Sequence, residues 1–384
     1  MRFRVERERL AEVVSWGTRC ASATPDLDRA LLRLSAGELA VASFDGESSA
    51  RATTPVEVSD DAEVSDGAEV SGEAGSQGSA LVPAELLVEI TKALPEQVID
   101  VELTPGVLWL RCGAGRFGLP TTPVEDYPRL PVLPAPAGTV DAAVFGAAVA
   151  QVAVAASREE ALPILTSVRV AIDGERITLL ASDRYRAARR EVTWQPVDPK
   201  RSTEVLVPGR ALLAAAEAFA DVPGALTVTV DEDAFDGGTI GFAAGSRQLT
   251  VRLLLGTFPQ VGRLFEVAHP VAATVSVAEL TEVVERVGLF GDRTSPVLLR
   301  LGPGTLTVET RGAHGAQAGE EIEAEFVGEP TTLAFNESYL LDGLRGIGGP
   351  NVRLSFLDPL KPVAFRAVDA ADSAYVLQPV RVDG

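Results

Sequence analysis

The run Gly113-Ala114-Gly115-Arg116-Phe117-Gly118 has the glycine spacing that cradles the pyrophosphate of a dinucleotide. That chemistry needs the glycines between a strand and a helix whose N-terminus faces the phosphates. A strand-like stretch, VLWLRC, does precede them, but GLPTTPVEDYP follows, and its prolines forbid a helix. The spacing therefore predicts a turn between two strands and no nucleotide. The two histidines, His269 and His314, lie in a Pro-containing linker and a Gly-Ala loop, without a partnering Ser or Cys motif. Neither HExxH nor GxxxxGK[ST] occurs. Cys20 and Cys112 lack metal-ligand spacing and are too few for a disulfide framework. Carboxylates are abundant but nowhere spaced as a site. The sequence thus names no catalytic residue, no metal ligand and no cofactor.

The elements around these residues repeat. A strand, a loop and a helix recur as ALVPAELLVEITKALP (80–95), VLVPGRALLAAAEAFADVP (205–223) and LAFNESYLLDGLRGIGGP (333–350). In each, a Pro, Gly or Asn suited to a helix start precedes apolar residues at helical spacing. Pro83 and Pro208 lie 125 residues apart, and Asn336 follows Pro208 by 128. A second helix type comes before each of them, over 5–17, 140–157 and 277–291. Alternating, strand-like runs follow, such as LTSVRVAIDGERITLLAS with its Asp173-Gly174 turn. An aromatic-proline step closes two of the copies, at Tyr127-Pro128 and Phe258-Pro259. A period near 125 residues is too long for a solenoid and means similar domains in a row. The prediction is α+β, with three similar domains over 1–135, 136–268 and 269–384 and Pro-rich or small-residue linkers at 129–139 and 266–274. The segment 56–80 stands outside the pattern as an acidic insertion, with seven acids and no base up to Glu73.

A formal net charge of −20 argues against phosphate binding by a basic surface. It does not exclude a protein that encircles DNA, which needs only a mildly basic lining and gains from an outer face that repels the duplex. The longest apolar stretch, 142–156, is shorter than a membrane span and reads as a buried helix. The charged start MRFRVERERL shows no signal peptide, and the expected setting is the reducing cytoplasm, with no membrane.

Several segments resemble the bacterial DNA polymerase III β subunit, the sliding-clamp family. They are the opening MRFRVERERL, the run LRCGAGRFGLPTTPVEDYPRLP (110–131), which looks actinobacterial, ASDRYRAARREV (181–192), LAFNESYLLDGL and AYVLQPVRV (374–382). The likeness spans the chain except 18–30 and 47–80, where it is weak. It implies three tandem clamp domains with helices lining a channel and antiparallel sheets outside. Two protomers pair head to tail as a six-domain ring around double-stranded DNA. The implied partners are DNA held without sequence reading, a second copy, and peptides of DNA polymerase and the clamp loader. No catalysis is implied.

The same resemblance assigns residues. Basic candidates for the channel are Arg19, Lys92, Arg158, Arg210, Arg293 and Arg345. Phe117 and Leu119 match the apolar edge of the first domain, on one face of their strand, and Leu289 and Phe290 the helix end of the third. Leu86 sits where many clamps carry a base. The partner-peptide pocket corresponds to Leu165, Ser182, Arg184, Tyr185, Arg186, Ala187, Pro259, Arg263, Leu264, Leu360, Pro362, Val376, Gln378 and Val380. Two of these depart from the family pattern: Ala187 replaces a larger Leu or Phe, and Gln378 replaces Met, the adaptable residue of promiscuous surfaces. The changed wall points to a paralogous clamp that binds griselimycin-type cyclic peptide antibiotics poorly. Lineage drift in a working clamp is the competing account, and a non-replicative clamp-like scaffold the competing function.

Overall fold

The computed structural model describes every residue except 25, 59–76, 160, 233–236, 267–269, 293, 370–371 and 382–384. His269, Arg293 and most of the acidic insertion therefore lie outside the described residues. The chain divides into two compact units, Met1–Ala137 with Leu226–Arg252, and Gly138–Ala225 with Leu253–Gly384.

In the first unit a sheet runs in the order Glu57–Val58, Arg2–Glu6, Val98–Thr104, Val107–Cys112 and Gly115–Pro120. Gly113, at φ +56°, makes the tight turn between the last two strands, so the GxGxxG run is a hairpin, as its prolines require. A second ladder joins Ala225–Asp231, Thr239–Ala244, Arg247–Arg252, Ser48–Pro55, Glu38–Phe44, Arg29–Ser35 and Gly78–Pro83 in that order. Helices α1 (Arg7–Gly17) and α2 (Ala84–Ala93) pack on each other.

The second unit repeats the plan. One sheet runs Ser202–Pro208, Ser167–Asp173, Arg176–Ser182, Arg186–Thr193, Ser373–Leu377, Val363–Ala367, Asn351–Phe356, Val271–Ser276 and Glu325–Val327. Another runs Gln317–Glu323, Thr305–Arg311, Val297–Gly302 and Thr331–Phe335. Helices α3 (Ala142–Ala153), α4 (Gly209–Ala218), α5 (Val277–Gly288) and α6 (Glu337–Gly346) cover them, with α3 against α4 and α5 against α6. Side chains of Asp141, Ser276 and Asn336 accept from backbone N–H groups in the first turns of α3, α5 and α6. The second copies, α2 and α4, start directly after Pro83 and Pro208.

The differences from the sequence reading have local causes. Helix α3 ends at Ala153 and not at 157, because the chain turns so that the Ser157 N–H can donate to the Leu165 carbonyl at 2.7 Å. The C-terminal strand stops at Leu377, since Pro379 has no N–H to continue the ladder. Parts of the expected linkers are strands, in Pro136–Asp141 and Val271–Ser276. Their Val, Ala and Thr side chains suit a half-buried pleat.

Close packing of helix on sheet rests on Gly17 at the end of α1. A Cβ there would lie 2.4 Å from the Val41 carbonyl oxygen. Ala favours helix more than Gly does, but by less than a backbone overlap costs. Gly17→Ala is expected to lose about 1–3 kcal/mol, read as a lower urea midpoint at unchanged slope. An unshifted midpoint would show that the helix can move off the strand freely.

Candidate functional site

Within the second unit, Arg186–Thr193 pairs antiparallel with Ser373–Leu377, placing Ala187 opposite Val376 and Arg186 opposite Leu377. The loop that feeds this ladder is a tight, self-bonded turn. The Asp183 N–H donates to the Arg186 carbonyl at 3.2 Å, and the Ser182 hydroxyl donates to the same carbonyl at 2.8 Å. Asp183 Oδ1 accepts from the N–H groups of Tyr185 and Arg186, both at 3.0 Å. Arg184 sits at φ +82°, a conformation that costs a non-glycine residue about a kcal/mol or more. The turn holds it there and points Arg184 and Tyr185 outward, with Tyr185 54% exposed.

Arg186 anchors the turn from below. Its Nε donates to Asp183 Oδ2 at 2.9 Å and its Nη1 to Asp342 Oδ2 of α6 at 2.6 Å, while the guanidinium stacks 4.1 Å from the Tyr339 ring. Burial opposes its charge, but Tyr375, Asp342 and Asp183 outweigh that and hold it above its ordinary range. Burial also pushes the Tyr375 phenol up; its hydroxyl donates to the Tyr339 carbonyl at 2.8 Å.

Beside the turn lies an apolar floor. Leu180, Ala187, Leu206, Phe258, Phe265, Ala364, Ala374 and Val376 form one buried cluster, with Ile164, Leu254, Val261 and Leu264 packed against it. Of the pocket residues named from sequence, Leu165, Ser182, Arg186, Ala187 and Val376 are buried, and Leu264, Pro362 and Gln378 are half-buried. Arg184, Tyr185, Pro259, Arg263, Leu360 and Val380 are exposed. Ala187 is 1% exposed, so the missing bulk lies beneath the surface and not in an open wall. Gln378 is not stranded, contrary to what an amide against an apolar groove suggests. Its Nε2 donates to the Leu360 carbonyl at 3.0 Å and its backbone N–H to the Tyr185 carbonyl at 2.8 Å. The exposed Leu255 and Leu357 were missed by the sequence reading; a leucine outside any helical or strand period was the available signal.

Of the strands that end a sheet, two lie beside residues named from the sequence. Gly115–Pro120 carries exposed Phe117 and Arg116, whose guanidinium stacks 3.8 Å from Trp109. Leu119 shares the face of Phe117 but is 1% exposed, a core residue of its own protomer opposite Leu108. The other is Gln317–Glu323, bearing Glu320, Glu321 and Glu323. Arg286 of α5 donates to Glu320 Oε1 at 2.7 Å, so the end of α5 borders this edge. Leu289 and Phe290 follow there, with Leu289 82% exposed.

The basic channel candidates among the described residues are exposed and few. Arg19 stacks 4.9 Å from Trp16 at the end of α1, and Lys92 is in the last turn of α2. Arg158 follows α3, Arg210 opens α4, and Arg345 of α6 is ion-paired with Glu285 of α5 at 2.7 Å. The exposed faces of α1 and α5 include Glu8, Glu12, Glu279, Glu282 and Glu285. No group of His, Cys, Asp and Glu among the described residues could hold a metal. Burial pushes the Cys20 thiol up to about 12, which leaves almost no thiolate near neutral pH. No helix among the described residues is long and apolar enough to cross a membrane.

Residues 1–131, 139–260 and 263–381 match the N-terminal, central and C-terminal domains of the DNA polymerase III beta subunit. The beta sliding clamp of Streptomyces coelicolor is 39% identical, with all of each chain covered. A beta sliding clamp homolog, GriR, of Streptomyces muensis is 36% identical over 99% of each chain. Among solved structures, the DNA polymerase III subunit beta of Pseudomonas aeruginosa matches with a TM-score of 0.89 at 24% identity, all of both chains covered. The sliding clamp of the same organism bound to griselimycin matches with a TM-score of 0.86 at 23% identity, again over the whole of both chains.

Asp183 is both the turn's acceptor and the partner of a buried cation. Asp183→Ala is expected to cost about 3–5 kcal/mol, the range for stripping one partner from a buried ion pair. Asp183→Asn, which keeps an acceptor for the two backbone N–H groups, should lose clearly less. Thermal melts of the two variants check the order; equal losses would mean that the lost charge accounts for the whole effect and the acceptor for little.

Proposed function

The chain belongs to the DNA polymerase III β-subunit family, the bacterial sliding clamps, and from that premise we propose that two copies close head to tail into a ring around duplex DNA. As a member of that family it is a non-catalytic sliding clamp. The observation that carries the proposed closure is a pair of unlike open edges on one chain. Gly115–Pro120 presents Arg116 and Phe117, and Gln317–Glu323 presents three glutamates beside Leu289 and Phe290. Each edge has backbone groups free to extend a sheet, and their charges are opposite. A head-to-tail contact of this kind, made twice, closes as a twofold ring.

Partner peptides of DNA polymerase and the clamp loader are proposed to dock at the groove floored by Ala187, Phe258, Leu264 and Val376 and rimmed by Tyr185, Arg184 and Leu360. Exposed aromatic and Arg side chains over an apolar floor suit a short peptide with apolar anchors. As a replication protein with two free cysteines, it is proposed to work in the cytoplasm.

Attraction for DNA is weak in this reading, because the bases named on or beside the helices are few and Arg345 is already paired with Glu285. Retention is therefore topological, with residual phosphate contacts that salt weakens. Loaded onto nicked circular DNA, the protein is expected to co-elute with the circles in gel filtration and to be lost when they are linearised. Prompt loss from the closed circle would favour the clamp-like scaffold that binds partners without riding on DNA.

A second reading rests on Ala187 and Gln378. The small Ala187 side chain leaves less bulk beneath the surface, and the Gln378 amide turns to the Leu360 carbonyl where an adaptable thioether would meet an apolar ligand. We infer a paralogue with weakened affinity for griselimycin-type cyclic peptides, a reading in line with its likeness to GriR and to a griselimycin-bound clamp. Titrating griselimycin, Ala187→Phe/Gln378→Met should bind about tenfold more tightly than wild type or better, about 1.4 kcal/mol. The single Gln378→Met, which leaves the core untouched, should show part of the gain. Equal affinity in all three proteins ends this reading.

A further inference from the structure

A second groove lies in the first unit, on one face of the ladder Arg29–Ser35, Glu38–Phe44, Ser48–Pro55 and Arg247–Arg252. It has a volume of about 420 Å³. The register explains its shape. Arg33 stands opposite Ala40, Ala42 opposite Arg51, and Arg51 opposite Gln248, so these side chains share a face. Ala40, Ala42 and Ser49 are small, and they leave a trough between two long arginines. The chain at Leu130–Leu133 forms one wall, and buried Leu31 and Leu249 complete the apolar lining.

Two features ask for a ligand. Arg33 and Arg51 are exposed, and neither has an ion-pair partner among the described residues, although the chain carries a net charge of −20. No acidic side chain lines the groove. Independently, Thr250 is 4% exposed in the lining, and its hydroxyl is buried with no hydrogen-bond partner. An unmatched buried hydroxyl is destabilising until a partner reaches it. A turn about χ1 exchanges its methyl and hydroxyl and offers the latter to whatever fills the trough.

We propose that this groove is a second peptide-docking site, for a short extended segment with an apolar side chain flanked by carboxylates. The apolar side chain seats over Ala40 and Ala42, the carboxylates meet Arg33 and Arg51, and a backbone group of the segment pairs with Thr250. The arginines stand two strands apart and two residues out of step along the strand between them, roughly 12 Å, close to the span of four extended residues, so carboxylates at i and i+4 and an apolar side chain at i+2 share one face. Charge complementarity selects the occupant: a basic or neutral segment would leave both guanidiniums unmatched. The site repeats the layout of the Tyr185 groove, with buried Tyr127 next to Pro128 standing where Phe258 and Pro259 stand in the other copy. It does not depend on that groove's assignment.

The test uses the full-length protein and a benzophenone-bearing peptide, acetyl-Glu-Ala-Leu-Ala-Glu-amide, with its Gln-for-Glu analogue as the control. Photo-adducts are mapped by mass spectrometry. The expected result is labelling within 130–133 or 247–251, weakened at least tenfold by Arg33→Glu/Arg51→Glu or by the uncharged analogue. Both arginines are exposed, so an unchanged melting temperature should accompany the double variant. Thr250→Val, nearly the same shape, should bind a few-fold more weakly while melting no lower than wild type. Labelling confined to the Leu360–Gln378 region, or labelling at 130–133 that the charge reversal leaves unchanged, overturns the proposal.

Discussion

A guanidinium taken out of water must be fully partnered, and much of the second unit is arranged around that requirement at Arg186. Its two carboxylate partners come from different places: Asp183 from its own turn and Asp342 from α6. Satisfying both fixes the turn, seats α6 on the strand Ser373–Leu377 through Tyr339 and Tyr375, and sets the ladder in which Ala187 faces Val376. Gly343 belongs to the same arrangement, because a Cβ there would lie 2.4 Å from the Tyr375 ring. An isolated ion pair of this kind adds little net stability, since desolvation offsets its attraction. Its effect is on uniqueness: other registers would leave a buried charge unmatched. The outward display of Arg184 and Tyr185 is a consequence of the anchoring beneath them.

Charge is distributed with a comparable economy. Many arginines are neutralised locally, by Glu204 on Arg169, Asp372 on Arg190, Glu309 on Arg300 and Glu285 on Arg345. Exposed pairs of this type contribute a fraction of a kcal/mol each, but they remove positive charge from the surface that phosphates could otherwise use. That distribution suits the proposed ring, which would hold DNA by closure and not by attraction. Such closure would use strand edges left unpaired in the protomer, which are otherwise an aggregation liability. The acidic edge Gln317–Glu323 repels its own kind, and the Arg116 edge carries a cation, so like edges do not associate.

The threefold repeat, the six helices and the hairpin at Gly113 were legible in the residues, because period, capping residues and prolines are local signals. The aromatic-proline steps were legible too, as markers of the Tyr127 and Phe258 positions. Less visible was the role of individual pocket residues. Ala187 and Val376 look like strand residues whether they face solvent or the core, and only packing buried them. Leu119 has the same type and spacing as a surface residue of its strand, yet pairing opposite Leu108 buries it. Gln378 read as an unmet polar group because its acceptor, the Leu360 carbonyl, is 18 residues away.

By itself the sequence determined the domain type, the order of elements and the family, since these rest on periodicity and on motifs spread over the whole chain. Tertiary structure alone decided the compact units. Hydrogen-bonded ladders run across the borders of the sequence repeat, Arg247–Arg252 onto Ser48–Pro55 and Ser373–Leu377 onto Arg186–Thr193. It also decided which arginines remain free for a ligand. That depends on whether a carboxylate lies within about 4 Å, a fact of folding and not of spacing: Arg186, in the sequence one arginine among many, is sealed, while Arg33 and Arg51 are left open beside a trough of alanines.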